Sequence, residues 1–425
     1  MSQTTIALII FLITYVCMIA LPNWRYLVAI GSAVVFIVIG YMPVGGIVSA
    51  VNWNVLLMLA GTMGTVAMFI VSKMPNKLAD MMLKLCPNVM WVAVVMSLFA
   101  GVVSAFVDNV ATVLMIAPVA LAICKKMGTS PIAMLICISV SSNLQGAATL
   151  VGDTTSILLG GYADMSFLDF FFMDGRFSIF WAVELGALAT VPVIMYLFRK
   201  DKQSVCATEV TEVTELMPTY LLIGTVVCLI LASFIPNKPE LTNGMICMIA
   251  CVFGVITAIH KDHGKLNVVK DTFKDIDFET LALLAGLFVV IDSITRAGVI
   301  DLVSGVIVNL GGDNLFLMYT IIVWGSVVIS AFVDNIPYVA TMLPVVSGIA
   351  SIMGVDPTVL YFGLLTGSTL GGNLTPIGAS ANITTIGILR KQGYEVKTSD
   401  FLRIGVPFTL MAVTVGYLFC WFVWA

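Results

Sequence analysis

Apolar residues fill this chain in blocks long enough to cross a bilayer's hydrocarbon as helices, roughly 17 to 25 residues each. The pattern predicts spans at 4–21, 25–42, 53–72, 131–161, 177–198, 217–236, 241–260, 279–297, 357–389 and 403–424. Two further apolar stretches, 90–126 and 315–352, are broken midway by one hexapeptide, Ser-Ala-Phe-Val-Asp-Asn. It stands at Ser104 to Asn109 and again at Ser330 to Asn335. Irregular backbone at membrane depth survives only where it is buried in protein or lines a wet cavity. The two stretches are therefore expected to be re-entrant hairpins. The segments 77–85 and 298–310 just before them read as short interfacial helices. The fold class expected is an all-α polytopic membrane protein.

The hexapeptides lie 226 residues apart, and the same offset holds without a gap over the following residues. Pro118 falls on Pro344, Met127-Gly128 on Met353-Gly354, Pro131 on Pro357, Gly146 on Gly372, Thr149 on Thr375 and Gly152 on Gly378. Apolar composition alone would scatter matches among Leu, Val and Ile. Here they fall on Asp, Asn, Pro, Gly and Thr, so the chain is a duplicated unit. The first repeat is 1–198, with hairpin 90–126 and broken helix 131–161. The second is 217–425, with hairpin 315–352 and broken helix 357–389. The segment 199–216, opening Arg-Lys-Asp-Lys and continuing through Glu209, Glu212 and Glu215, is a cytoplasmic linker.

Five spans plus a hairpin per repeat is an odd count, which forces the second repeat to enter the membrane inverted. Charge placement agrees, with 17 of the 20 Lys and Arg on one side. Arg25, Lys77, Lys125, Arg199, Lys202, Lys265, Lys270 and Lys391 stand among them. Arg176, Lys238 and Arg296 are left on the other side. By the positive-inside rule the first side is cytoplasmic, so both termini lie outside the cytoplasmic membrane.

Composition narrows the class. With 60% apolar and 10% charged residues and a mean hydropathy of +1.07, the chain is not that of a soluble protein. The first stretch lacks a basic lead and a small-residue cleavage site, so it reads as a retained span. The nine Cys form no C-x-x-C pair, and Cys247 and Cys251, on one helix face, read as packing residues. Nucleic-acid, dinucleotide and P-loop signatures are absent, so no cofactor and no nucleic-acid partner is expected. His260 and His263 are loop residues, and no nucleophile or metal-ligand constellation points to an enzyme.

The hexapeptides place Asp108 and Asp334 at membrane depth, where an ionisable group costs roughly 2.5–3.5 kcal/mol and is usually kept for an ion pathway. After each hairpin comes a helix interrupted by small and polar residues. The first break carries Asn143, Gly146, Thr149, Gly152, Asp153 and Ser156. The second carries Gly372, Asn373, Thr375, Gly378, Ser380 and Asn382. Glycines and Pro376 free carbonyls that can coordinate a cation, while half-helix N-termini offer N–H groups to an anion. Asp108, Asn109, Asp334 and Asn335 are the candidate Na⁺ ligands. The plainer alternative is that both Asp merely cap the following helices and that the glycines mark close packing. A larger residue at Gly378 is expected to harm binding more than folding. Glu184 lies inside a span as a relay or a snorkelling acid, and Asp292 pairs with Arg296 one turn later. No Lys or Arg is expected beside the motifs at depth.

These motifs resemble the ion transporter superfamily, most of all its arsenite permease and Na⁺/H⁺ antiporter branch, which includes P-protein-like permeases. Ser330-Ala-Phe-Val-Asp-Asn-Ile-Pro337 and Gly371-Gly-Asn-Leu-Thr-Pro-Ile-Gly-Ala-Ser-Ala-Asn382 carry the resemblance. It implies a scaffold domain and a transport domain, elevator-type alternating access, and a homodimer. In the related divalent anion/Na⁺ symporters each tip reads Ser-Asn-Thr; here the tips read Asp108-Asn109-Val110 and Asp334-Asn335-Ile336. The expected function is secondary active transport of a small inorganic ion or oxyanion, coupled to H⁺ or Na⁺, with antiport or efflux ahead. Na⁺-coupled uptake of a citrate-like di- or tricarboxylate is the alternative, and an ion channel the rival class.

Overall fold

In the computed structural model, residues 2–84, 86–201, 203, 211–261, 274, 276–312 and 314–425 are described. Lys202, Glu209, His263, Lys265, Lys270 and most of the linker's first half lie outside the described residues. The duplication read from the sequence is visible element by element. In the first half α1 is Gln3–Ala20, α2 Arg25–Ile39, α3 Trp53–Val71, α4 Met74–Leu83, α5 Val89–Ser104, α6 Asn109–Met127, α7 Ile132–Gly146, α8 Thr154–Tyr162 and α9 Ile179–Leu197. In the second half α10 is Met217–Ser233, α11 Thr242–Lys261, α12 Phe278–Arg296, α13 Val299–Gly311, α14 Leu315–Ser330, α15 Asn335–Met353, α16 Thr358–Gly371, α17 Ser380–Lys391 and α18 Thr398–Trp424.

The same local signals start and stop paired helices. Asn88 caps α5 by accepting from the Trp91 amide, and Asn314 caps α14 by accepting from the Leu317 amide, each at 3.1 Å. Asn52 and Asp277 do the same for α3 and α12. Gly128 and Gly354, at φ of 67° and 65°, end α6 and α15 in the left-handed conformation that glycine adopts without strain.

Among the described residues, nine helices are long and apolar enough to cross a membrane. Two of them are α6 and α15, the second arms of the hairpins. At 19 residues each reaches about 28 Å at 1.5 Å per residue, so these arms are of full crossing length. Polar breaks interrupt the predicted spans 131–161 and 357–389, leaving α7 and α8 as one pair and α16 and α17 as the other. The interfacial segments form helices α4 and α13.

One element departs from the all-helical expectation. Between α8 and α9, β1 (Phe172–Met173) pairs antiparallel with β2 (Arg176–Phe177). Asp174 and Gly175, both at positive φ, make the Asp-Gly turn that matches the twist of such a ribbon. The dipeptide was a readable signal that the apolar flanks masked.

The helices sort into two packed groups. In one, α2 packs on α12 and α3 on α11, with α1 and α10 beside them. Each of these closest pairings joins the two halves. Gly61 lies against the Cys247 and Met248 backbone, and Gly286 lies against that of Ala29 and Ile30. The other group holds the hairpins, the broken helices, and α9 packed along α18. Here too the halves interlock, with α17 on α6 and α8 on α15. Exposed apolar side chains such as Val16, Val38, Tyr220 and Ile249 cover the outside of the first group, as a lipid-facing surface requires.

Candidate functional site

The two breaks meet at the centre of the second group. Asn143 Nδ2 donates to the Thr369 carbonyl at 2.7 Å and to Asn373 Oδ1 at 3.0 Å. Asn373 Nδ2 donates back to the Val140 carbonyl at 2.9 Å. Thr369 is the repeat partner of Asn143, so the pseudo-symmetry axis runs between them. Ser139 donates to Asn382 Oδ1 at 2.7 Å, and the Thr155 and Thr369 hydroxyls lie 3.0 Å apart.

Each hairpin tip is stitched to the break behind it by identical bonds. The Thr149 hydroxyl donates to the Ala105 carbonyl, and Thr375 does the same to Ala331. Gly152 and Gly378 press against three carbonyls apiece, those of Gly146, Ser104 and Ala105 and of Gly372, Ser330 and Ala331. A side chain at either glycine has no room.

Several predicted site residues are therefore spent on architecture. Asn382 Nδ2 donates to the Gly372 and Thr375 carbonyls while its Oδ1 receives Ser139. Asn109 Nδ2 donates to Asn143 Oδ1 at 2.9 Å. Gly146 and Gly372 lie against the β-carbons of Asp153 and Ala379. Capping holds as well: Asp108 Oδ1 accepts from the Val110 and Ala111 amides, and Asp334 Oδ1 from that of Ile336. The caps leave one carboxylate oxygen at each tip for other work.

What surrounds those oxygens differs between the repeats. Asp108 and Asp153 both line a cavity of about 20 Å³, together with Gly152, Thr154 and Ile157 and with Leu59, Thr62, Met63 and Val66 of α3. Asp153 caps α8, accepting from the Thr154 amide at 2.8 Å and the Thr155 hydroxyl at 2.6 Å. Among the described residues, no Lys, Arg or His lines the cavity. The position equivalent to Asp153 in the second repeat is Ala379.

At the second tip, Asp334 Oδ2 receives Arg25 Nη1 at 2.8 Å and the Ser380 hydroxyl at 3.3 Å. The expectation that no cation stands beside the motifs is thus corrected. Arg25 opens α2, at the level the second hairpin tip reaches, and 309 residues separate the partners. Nothing in the local pattern links them. Sequence reading also missed Tyr15, whose hydroxyl donates to the Pro337 carbonyl at 2.6 Å and pairs with Thr341.

The second break is the more open of the two. Thr375 and Ser380 are half-buried and Ile377 is exposed, whereas the first break is buried throughout. Asn335 is buried with its Nδ2 unpartnered, and so is the Ser156 hydroxyl. Glu184 receives Gln145 Nε2 at 2.8 Å, and Asp292 pairs with Arg296 at 2.6 Å as expected. Among the described residues no group of three or more His, Cys, Asp or Glu is placed to hold a metal ion.

A family profile described as "Citrate transporter" matches residues 6–367 and 245–425. The chain belongs to the citrate transporter family. Relatives agree with this assignment. The chain is 32% identical over 323 residues to a 46 kDa membrane protein of Mycobacterium leprae, covering 75% of this chain and 74% of that protein. It is 29% identical over 340 residues to an uncharacterised transporter of Mycobacterium bovis, covering 78% and 76%. The human P protein is 26% identical over 448 residues, which span 87% of this chain and 53% of that protein. The resemblance to P-protein-like permeases is borne out.

Among solved structures, the YdaH transporter of Alcanivorax borkumensis superposes with a TM-score of 0.60 at 12% identity, covering 95% of this chain and 97% of that one. MtrF of Neisseria gonorrhoeae gives 0.57 at 13% identity, covering 100% and 96%. At these identities the likeness shows a shared fold alone. This member of the citrate transporter family is a multi-pass membrane transporter and not an enzyme.

Proposed function

We propose that this transporter is ion-coupled, that Na⁺ or H⁺ binds between Asp108 and Asp153, and that it moves a small oxygen-rich anion by alternating access. The observation that carries the reading is the cavity shared by those two carboxylates, with no basic residue in its wall among the described residues. Two carboxylates facing one space repel unless a cation or proton lies between them. A cavity of about 20 Å³ has room for a single water or a small dehydrated cation. Thr62 and Thr154 also line it.

The family description supports a citrate-like di- or tricarboxylate as the anion. A second reading, antiport or efflux of an inorganic ion or oxyanion, is favoured by an acid at both tips where the related symporters carry Ser. The two helix groups supply a scaffold and a moving unit for an elevator. The 17-to-3 split of basic residues supports the cytoplasmic membrane with both termini outside.

Purified protein in proteoliposomes tests this. Imposed Na⁺ and H⁺ gradients should drive uptake of labelled citrate, or exchange of arsenite or Na⁺ under the second reading. Preloaded unlabelled solute should accelerate entry of label. Passive flux without counterflow would instead make the protein a channel.

A further inference from the structure

We infer that Arg25 is a tethered cation for the second hairpin tip. It occupies Asp334 in this conformation, and a dissolved cation binds there only when α2 and the tip part. The inference rests on the reading of the tips as ion sites and deepens it. In this state the repeat-related sites are unequal: the Asp108–Asp153 site is open to a solute cation, and the Asp334 site is filled from within the protein.

Three observations carry it. The Arg25–Asp334 pair is 2.8 Å long with side chains only 22% and 7% exposed. Opening it without replacement would strand a carboxylate largely out of water, a loss far larger than that of an exposed surface pair. The pair also joins the two helix groups, since Arg25 belongs to α2 and Asp334 caps α15. Tyr15 of α1 adds a second clasp on the first turns of α15 through Pro337 and Thr341.

The third observation is the contrast with the other tip. The first turns of α11, which match α2 in repeat order, run Thr242 to Cys247 without a basic residue. The Gly244 amide there donates to Asn54 Oδ1 at 2.7 Å. Among the described residues no basic side chain pairs with Asp108, and it has Asp153 beside its cavity instead. One tip is built to need a cation from solution, and the other brings its own. Exchanging Arg25 for a solute cation keeps the tip's net charge constant when the groups separate. That removes the main electrostatic cost of moving Asp334 past the scaffold.

The test reads cation binding rather than transport, so it can fail while the transport assay succeeds, and the reverse. In an Asp108→Asn background, which silences the first site, thermal stability is measured against NaCl and LiCl with choline chloride holding ionic strength constant. With Arg25 intact, Na⁺ and Li⁺ should add nothing beyond choline. Arg25→Gln should gain a saturable rise of several degrees, and adding Asp334→Asn should abolish that gain. An Arg25→Gln protein no more responsive than its parent, or a gain that survives Asp334→Asn, would overturn the inference. Should Arg25→Gln fail to fold, Arg25→Lys carries the test. A lysine keeps the charge but loses the Nε bond to the Met18 carbonyl that holds Arg25 against the tip, so half-stabilisation should appear with that variant at attainable Na⁺, and its absence would count against the proposal.

Discussion

The two hairpin aspartates show how one residue can hold two roles. Asp108 caps α6 with a single oxygen, which leaves the other free for an ion. Asn caps about as well as Asp, so Asp108→Asn should keep the melting temperature near wild type while coupled transport in proteoliposomes falls to background. Equal loss of stability and transport would make the carboxylate structural. The glycines behind the tips behave differently. A β-carbon on Gly152 would sit 2.5–2.7 Å from three carbonyls, and one on Gly378 2.6–2.9 Å from three. Gly152→Ala and Gly378→Ala should each cost about 1–3 kcal/mol of stability through overpacking, measured by thermal or denaturant unfolding. Pattern reading expected Gly378 to matter for binding more than folding; the carbonyls packed against it make folding the first casualty. The repeat made Asp108, Asn143, Asn373 and Asn382 legible as special. It could not say that the asparagines are spent on holding the breaks together, because their partners lie across the pseudo-axis or on other elements of the same repeat.

Elements show where the repeats were tuned apart. On the face where α5 meets α7, Gly101 leaves space that Gln145 fills, and a β-carbon on Gly101 would fall 1.2 Å from Gln145 Oε1. The related face of α14 and α16 reverses the sizes: Val327 carries the bulk and Gly371 lies against its backbone. Gln145 in turn holds Glu184 of α9, whose counterpart in α18 is Leu410. Gly101→Val alone should therefore prevent α5 from seating on α7 and abolish folded yield. The triple change Gly101→Val, Gln145→Gly, Glu184→Leu copies the second repeat's arrangement and should restore folded protein by size-exclusion chromatography. A triple variant no better than the single one would refute this account of the interface. Sequence periodicity gave every long helix and both breaks. It did not show the Asp-Gly ribbon 172–177, and it could not show α2 pairing with α12 or α3 with α11, since periodicity carries no partner information.

For the whole molecule, the arrangement depends on each half crossing the membrane an odd number of times. The repeat, read from polar matches at one offset, and the charge partition, read from loops, are independent signals that predict the same inversion. The contacts among described residues are compatible with it: Lys125, in the last turn of the first hairpin's second arm, donates to Gln392, after the second broken helix, at 2.8 Å. Those two segments, on the basic side, therefore share one face. Glu240, in the exposed loop before α11, falls on the other side by the same count. In a background lacking the native cysteines, Gln392→Cys should react with an impermeant maleimide only from the cytoplasm. Glu240→Cys should react only from outside. Each predicted side depends on every crossing between the loop and its repeat partner. Labelling of both from one face would mean that a span has been miscounted, and the inverted arrangement would fall with it.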